Sequence, residues 1–163
     1  MGIIFDTTVA FFAEDDWPIL RIGEETAASA TVRGENGYWG CVTQVMEEDR
    51  LFLFYSASPL ETPHEKRAQM AEFIARANYG ALLGNFELDV EGGDLRYKTS
   101  LSVRYIPDDM LLEDGLLHRL IRQAVYTNVS MMDRYLPGIQ AVLEDGVPPA
   151  QAIARVEDED GDV

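Results

Sequence analysis

The sequence predicts one α+β domain built on antiparallel strands. Three observations carry that expectation: an Asn36-Gly37 hairpin signal between two apolar runs, a second hairpin signal at Gly92-Gly93, and three segments with helical periodicity. A length of 163 residues is the usual size of one domain and is enough to bury a core. The 47% hydrophobic content is that of an ordinary globular chain. Residues 1–156 are expected to form the domain, and the acidic run 157–163 a disordered tail, because it is too polar to pack.

The first helix is expected to start at Asp6 or Thr7, either of which can accept from free amides of the opening turn. It places Val9 and Phe12 on one face, and Pro18 forbids its continuation past Trp17. Ile19 to Ile22 read as a short strand or an extended lead-in. Asn36-Gly37 then turns Thr31-Val32-Arg33 back into Tyr38-Trp39, since both turn residues tolerate positive φ. A second reversal at Glu47-Glu48-Asp49 joins strand 38–46 to strand 51–57. The run Leu51-Phe52-Leu53-Phe54-Tyr55 is apolar on both alternating sides, so it calls for cover on both faces of the sheet. Helices supply one cover. The other has to come from a second layer, a subunit or a partner.

The second helix has the clearest start: Thr62 as cap, Pro63 in the first turn, and Glu65 completing a capping box. Met70, Phe73, Ile74 and Ala77 share its buried face, and Asn78-Tyr79-Gly80 ends it. In the following hairpin, Leu82, Phe86, Leu88 and Val90 point one way. A two-residue turn at Gly92-Gly93 would set Asp89 opposite Arg96 and Glu87 opposite Lys98. The last large helix spans about 113–145. Its stripe is Leu117, Leu120, Ile121, Ala124, Met131 and Tyr135, widened by Val125, Val129 and Met132. Pro137-Gly138 is expected to kink or break it. A short helix follows from Pro148-Pro149 through Ala152 and Ile153.

Charge and residue chemistry narrow the function. A net charge of −16 and a pI of about 4.3 oppose docking on nucleic acid or anionic lipid. No run is long enough to span a bilayer. The opening Met1–Asp6 lacks the basic region and apolar stretch of a secretory signal, so the cytoplasm is expected. The single cysteine, Cys41, forms no internal disulfide and sits in an apolar strand where burial disfavours thiolate. His64 and His118 are far apart, and the Asp158-Asp160-Asp162 spacing lacks the glycine and bidentate glutamate of a calcium loop. Ser56 and Ser58 lack a nucleophile elbow. Carboxylate pairs such as Glu47-Glu48-Asp49 fall at turns, where solvation explains them. Gly92-Gly93 lacks the helix and lysine of a phosphate loop. No catalytic residue, metal ligand or cofactor site is expected. Asn128 is the anomaly: an amide on the apolar stripe of the long helix, which needs hydrogen-bond partners if buried.

Several segments occur in the order found in one family. Phe11-Phe12-Ala13-Glu14-Asp15-Asp16-Trp17-Pro18, Ala77-Asn78-Tyr79-Gly80, Gly84-Asn85-Phe86-Glu87-Leu88-Asp89 and Leu95-Arg96-Tyr97-Lys98 resemble the YbjN family. Tyr126-Thr127-Asn128-Val129 and Met131-Met132-Asp133-Arg134-Tyr135-Leu136-Pro137-Gly138 extend the likeness, which covers roughly residues 5–145. The resemblance implies a fold like that of type III secretion chaperones, α-β-β-β-α-β-β-α with an antiparallel sheet, here with a short C-terminal helix. It also implies an acidic homodimer that binds segments of other proteins without a cofactor, in a family labelled as sensory transduction or stress regulators. The stretch 106–114 and the extension after Asp145 depart from the pattern.

The function expected is a chaperone-like, protein-binding adaptor or regulator. Strands 38–46 and 51–57 and the long helix supply the contacts to a second copy or a client, with Phe52, Phe54, Tyr126, Met131, Met132 and Tyr135 as the candidates. The alternative is a small-molecule sensor with a pocket between the sheet and the long helix.

Overall fold

The computed structural model describes residues 2–23 and 26–158; the expected tail beyond Asp158 lies outside the described residues. The chain runs α1 (Ile3–Glu14), β1 (Ile19–Arg21), β2 (Ala27–Arg33), β3 (Tyr38–Met46), β4 (Leu51–Ala57), α2 (Arg67–Asn78), β5 (Asn85–Leu88), β6 (Leu95–Ser102), α3 (Asp108–Leu112), α4 (Leu116–Leu143) and α5 (Pro149–Asp158). The six strands form one antiparallel sheet in the order β1-β2-β3-β4-β6-β5. The expected α+β succession is present, with α3 added.

Local patterns explain most of these elements, and remote residues explain where they begin and end. Helix α1 starts three residues before Asp6 because Glu47, in the β3–β4 turn, accepts from the Phe5 amide at 2.7 Å. The Glu47 carboxylate lies where a side chain on Gly2 would stand, so a larger residue there would have to displace it. Thr62 is not a cap. It is buried, its amide bonds to the Gly93 carbonyl at 3.1 Å, and the helix opens instead with a 3-10 turn, His64–Lys66. On α2 the expected face holds, with Met70, Phe73 and Ala77 buried.

The β5–β6 hairpin slips by two residues from the expected register. Leu88 pairs with Leu95, Glu87 with Arg96 and Asn85 with Lys98. The connection spans residues 89–94 because Asp89 closes it: its carboxylate accepts from the Glu91 amide at 3.0 Å and its carbonyl from Gly93 at 2.7 Å. Arg67 of α2 holds the Val90 and Glu91 carbonyls from outside. Both cations converge on Glu87, Arg96 at 2.8 Å and Lys98 from the other side. Leu82 and Val90 are exposed and lie outside β5, so they do not share the buried side of Phe86.

Helix α4 passes through Pro137 unbroken. Proline removes the amide that would bond to the Asp133 carbonyl, and Asn36 from the β2–β3 turn donates to that carbonyl instead, at 3.1 Å. The Asp133 carboxylate accepts from the Glu35 and Asn36 amides at 3.0 and 2.8 Å, so the hairpin turn is docked on the helix at the point where proline freed an acceptor. Gly138 follows because a side chain there would meet Val156 and Phe73 at 2.8–2.9 Å. Helix α5 packs on this junction with Ala152, Ile153 and Val156 and extends through Glu157 and Asp158, the first two residues of the expected tail. Tyr135 donates to Glu157 at 3.1 Å.

All the long helices lie on one face of the sheet. The core between the layers contains Trp39, Cys41, Val45, Phe52, Phe54 and Tyr97 from the strands, with Phe12, Phe73, Ile121, Val125 and Met132 from the helices.

Candidate functional site

Strand alternation divides β3 and β4 into two phases. Trp39, Cys41, Thr43 and Val45 alternate inward, paired with Phe52, Phe54 and Ser56 of β4. The opposite phase presents Tyr38, Val42, Gln44 and Met46 on β3 and Leu51, Leu53 and Tyr55 on β4. Register carries the outer row across the sheet: Leu20 pairs with Ser29, Ser29 with Val42, Val42 with Tyr55 and Tyr55 with Lys98. Among the described residues no helix covers this face. Leu20 is 75% exposed, Tyr38 64%, and Val42 and Met46 each 39%. The result is an apolar stripe over the middle of the sheet, open to solvent.

This stripe corrects the residue assignment made from sequence. Phe52 and Phe54 are fully buried under the helices, and so is Met132; Tyr135 is buried between α2 and β5, edge-on to Phe73 and Phe86. None of these four side chains is on the surface of the single chain. Phe52 and Phe54 take the covered face, and Leu51, Leu53 and Tyr55 take the other. Gln44 marks the outer phase of β3 in the sequence, and through pairing it identifies Leu53 as outer too. Met131 is half-buried and Tyr126 is at the surface of α4.

Tyr126 is also part of a clasp between α1 and α4. Its hydroxyl donates to Asp15 at 2.7 Å, and Arg122 reaches both Asp15 carboxylate oxygens at 2.8 Å. The Tyr126 hydroxyl, with Arg122 beside it, holds the Asp15 carboxyl below its ordinary 3.8. Burial pushes Glu87 up, but the Lys98 and Arg96 hydrogen bonds outweigh it and leave the carboxyl below 4.5. Both groups are carboxylates whose folded pKa is depressed. They stabilise the fold above their unfolded values, and that contribution is lost as pH falls through the folded values. The thermal midpoint should therefore be nearly flat from neutrality to about pH 5 and fall below that. Asp15→Asn should flatten part of the acid limb, read by thermal unfolding across the pH series.

A groove of about 720 Å³ lies on the open face, floored by Val42, Gln44, Tyr55 and Ala57 and walled by the segment 58–61 and by Asp94 and Arg96. Between the sheet and α4, by contrast, the space of the expected sensor pocket is filled by the buried side chains of Val125, Asn128 and Met132 above Phe54 and Tyr97. A cleft of about 90 Å³ at the edge, lined by Thr99, Leu120 and Thr127 among others, is well below the size of ordinary ligand pockets.

On β5, Asn78 accepts from the Phe86 amide at 2.7 Å and donates to its carbonyl at 3.1 Å, which closes that edge to strand addition. Burial pushes the Cys41 thiol up to about 11, against hydrogen bonds from Ser56 and Trp39 that act the other way. Among the described residues no group of three or more His, Cys, Asp or Glu is placed to hold a metal ion, and no helix is long and apolar enough to cross a membrane.

A family profile described as "Putative bacterial sensory transduction regulator", YbjN, matches residues 9–141. The crystal structure of YbjN from E. coli is similar over 80% of this chain and 91% of its own, with a TM-score of 0.56 and 13% identity. The ExsC–ExsE complex gives a TM-score of 0.47 at 10% identity, covering 83% of this chain and 95% of the other. The HopA1–SchA chaperone–effector complex gives 0.38 at 14%, covering 74% and 93%. No match among curated proteins reaches significance.

Proposed function

The chain belongs to the YbjN family, and from that premise we propose that it is a non-catalytic protein-binding adaptor or regulator, working as a homodimer in the cytoplasm in stress response or regulation. One observation carries the reading: the helices cover one face of the sheet, while on the other Val42 and Met46 are exposed and Leu53 and Tyr55 half-buried. Burying such a stripe against a partner is favourable at roughly 25 cal/mol for each Å² of apolar surface removed from water. The acidic surroundings restrict which partners approach. In this reading the open face takes the client. The outer side of α4, bounded by Tyr126 against α1 and by Met131 beside residues 79–83, holds the two expected contact residues still at or near the surface and pairs the two copies.

The test separates the two surfaces. Light scattering should give twice the 18.3 kDa chain mass, and Met131→Glu should return it to one chain. Leu53→Lys should keep the wild-type mass and thermal midpoint but lose the proteins that co-purify with the wild type. A single-chain mass at high concentration, together with unchanged co-purification by Leu53→Lys, would overturn the proposal.

A further inference from the structure

Resting on the adaptor reading and deepening it, we propose that the groove on the open face takes a cationic, apolar segment of a partner protein. Such a segment would lie extended, seat an apolar side chain on Val42 and Tyr55, and set Lys or Arg side chains against Glu61 and Asp94. The groove's own chemistry selects this occupant. Val42, Tyr55 and Ala57 make its floor mainly apolar beside Gln44, and Gly40, two residues before Val42 on the same face, has nothing within 4 Å of the position a side chain would fill, so β3 is open there too.

The rim is charged unevenly. Arg96, the cation in the lining, is already engaged: its Nε is 2.8 Å from Glu87, and its guanidinium stacks 4.4 Å from the centre of the Tyr55 ring. The Glu61 and Asp94 side chains are exposed and have no hydrogen-bonding or ion-pair partner among the described residues. An apolar floor beside two free carboxylates is complementary to a segment that mixes apolar and basic residues. It is poorly matched to a second copy of this chain, which carries a charge of −16. The same net charge draws a basic segment in and repels an acidic one.

The probes are two fluorescein-labelled peptides, one alternating Val with Lys and one alternating Val with Glu, titrated with the full chain by fluorescence anisotropy. The lysine peptide should bind and the glutamate peptide should not. The double variant Glu61→Lys/Asp94→Lys should weaken the lysine peptide on the order of tenfold, since two attractions become two repulsions. It should also begin to take the glutamate peptide. A control pair far along the chain, Glu113→Lys/Asp145→Lys, should weaken the lysine peptide much less. The proposal is overturned if the lysine peptide does not bind, if both peptides bind alike, or if the control reversal weakens binding as much as the groove reversal. If the lysine peptide fails while Leu53→Lys still abolishes co-purification, this inference falls and the adaptor reading stands. If Leu53→Lys is also without effect, both fall.

Discussion

Phe54→Ala should lower the free energy of unfolding by about 3–5 kcal/mol, while Leu53→Ala, one residue earlier, should cost about 1 kcal/mol or less. The difference comes from the pleat. Phe54 is fully buried, with its ring centre 6.2 Å from that of Phe12, so truncation opens a cavity beneath α1 and α4. Leu53 faces outward between Gln44 and Ser100, already partly in water, and its loss leaves no enclosed void. Denaturant unfolding of the two variants under one set of conditions reads both values. Equal costs, or a larger cost at Leu53, would mean that a layer covers the outer face in the free protein. The pair thus tests the premise on which the binding face depends. It also predicts a dissociation of phenotypes: Leu53→Ala should impair partner binding at nearly normal stability, and Phe54→Ala should act through stability.

The same strand shows why the fold was legible in the sequence while the contact residues were not. Periodicity located β3, β4, α2 and α4, because each pattern reports only which residues share a face. In β4 both alternating faces are apolar, so alternation says that two covers are needed without saying which phase belongs to which. The paired strand decides between them: Cys41, Thr43 and Val45 stand beside Ser56, Phe54 and Phe52 on the covered face, and Gln44 stands beside Leu53 on the other. On α4 the stripe was wide enough to take in both the buried Met132 and the half-buried Met131.

Groups distant in sequence take part in each of three misplaced features. Glu47 moves the start of α1, Arg67 helps to hold the β5–β6 turn, and Asn36 lets α4 pass Pro137. Helix α3 is a further case. Its Leu111 is fully buried, and the preceding segment is held by Arg50, which donates to the Val103 and Ile106 carbonyls at 3.2 and 2.7 Å and pairs with Asp108 at 2.8 Å. Five residues alone are too few to form a stable helix, so the local pattern in 106–114 is weak.

Asn128 was marked by the sequence as a polar residue on an apolar stripe, and its replacement should have the second large effect. The side chain is fully buried. Its Nδ2 lies 2.9 Å from the Phe54 carbonyl, 3.1 Å from the Tyr97 carbonyl and 3.2 Å from the Thr99 hydroxyl, so one amide ties α4 to both β4 and β6. Asn128→Ala should cost about 2–4 kcal/mol, combining a cavity with acceptors that lose their donor in a dry interior. Asn128→Leu separates the two terms. It nearly restores the volume and removes an Oδ1 that has no partner among the described residues, but it leaves the same acceptors without a donor. If packing dominates, Leu should recover most of the loss. The geometry favours the other outcome, with Leu remaining on the order of 2 kcal/mol below the wild type. A functional consequence follows from the position of the amide. Phe54 is one residue from Leu53 and Tyr55, so loosening its anchorage should raise hydrogen exchange along β4 before global unfolding and blur the outer face. An Asn128→Leu protein with wild-type stability and wild-type exchange at β4 would show that helix and sheet are aligned by packing alone.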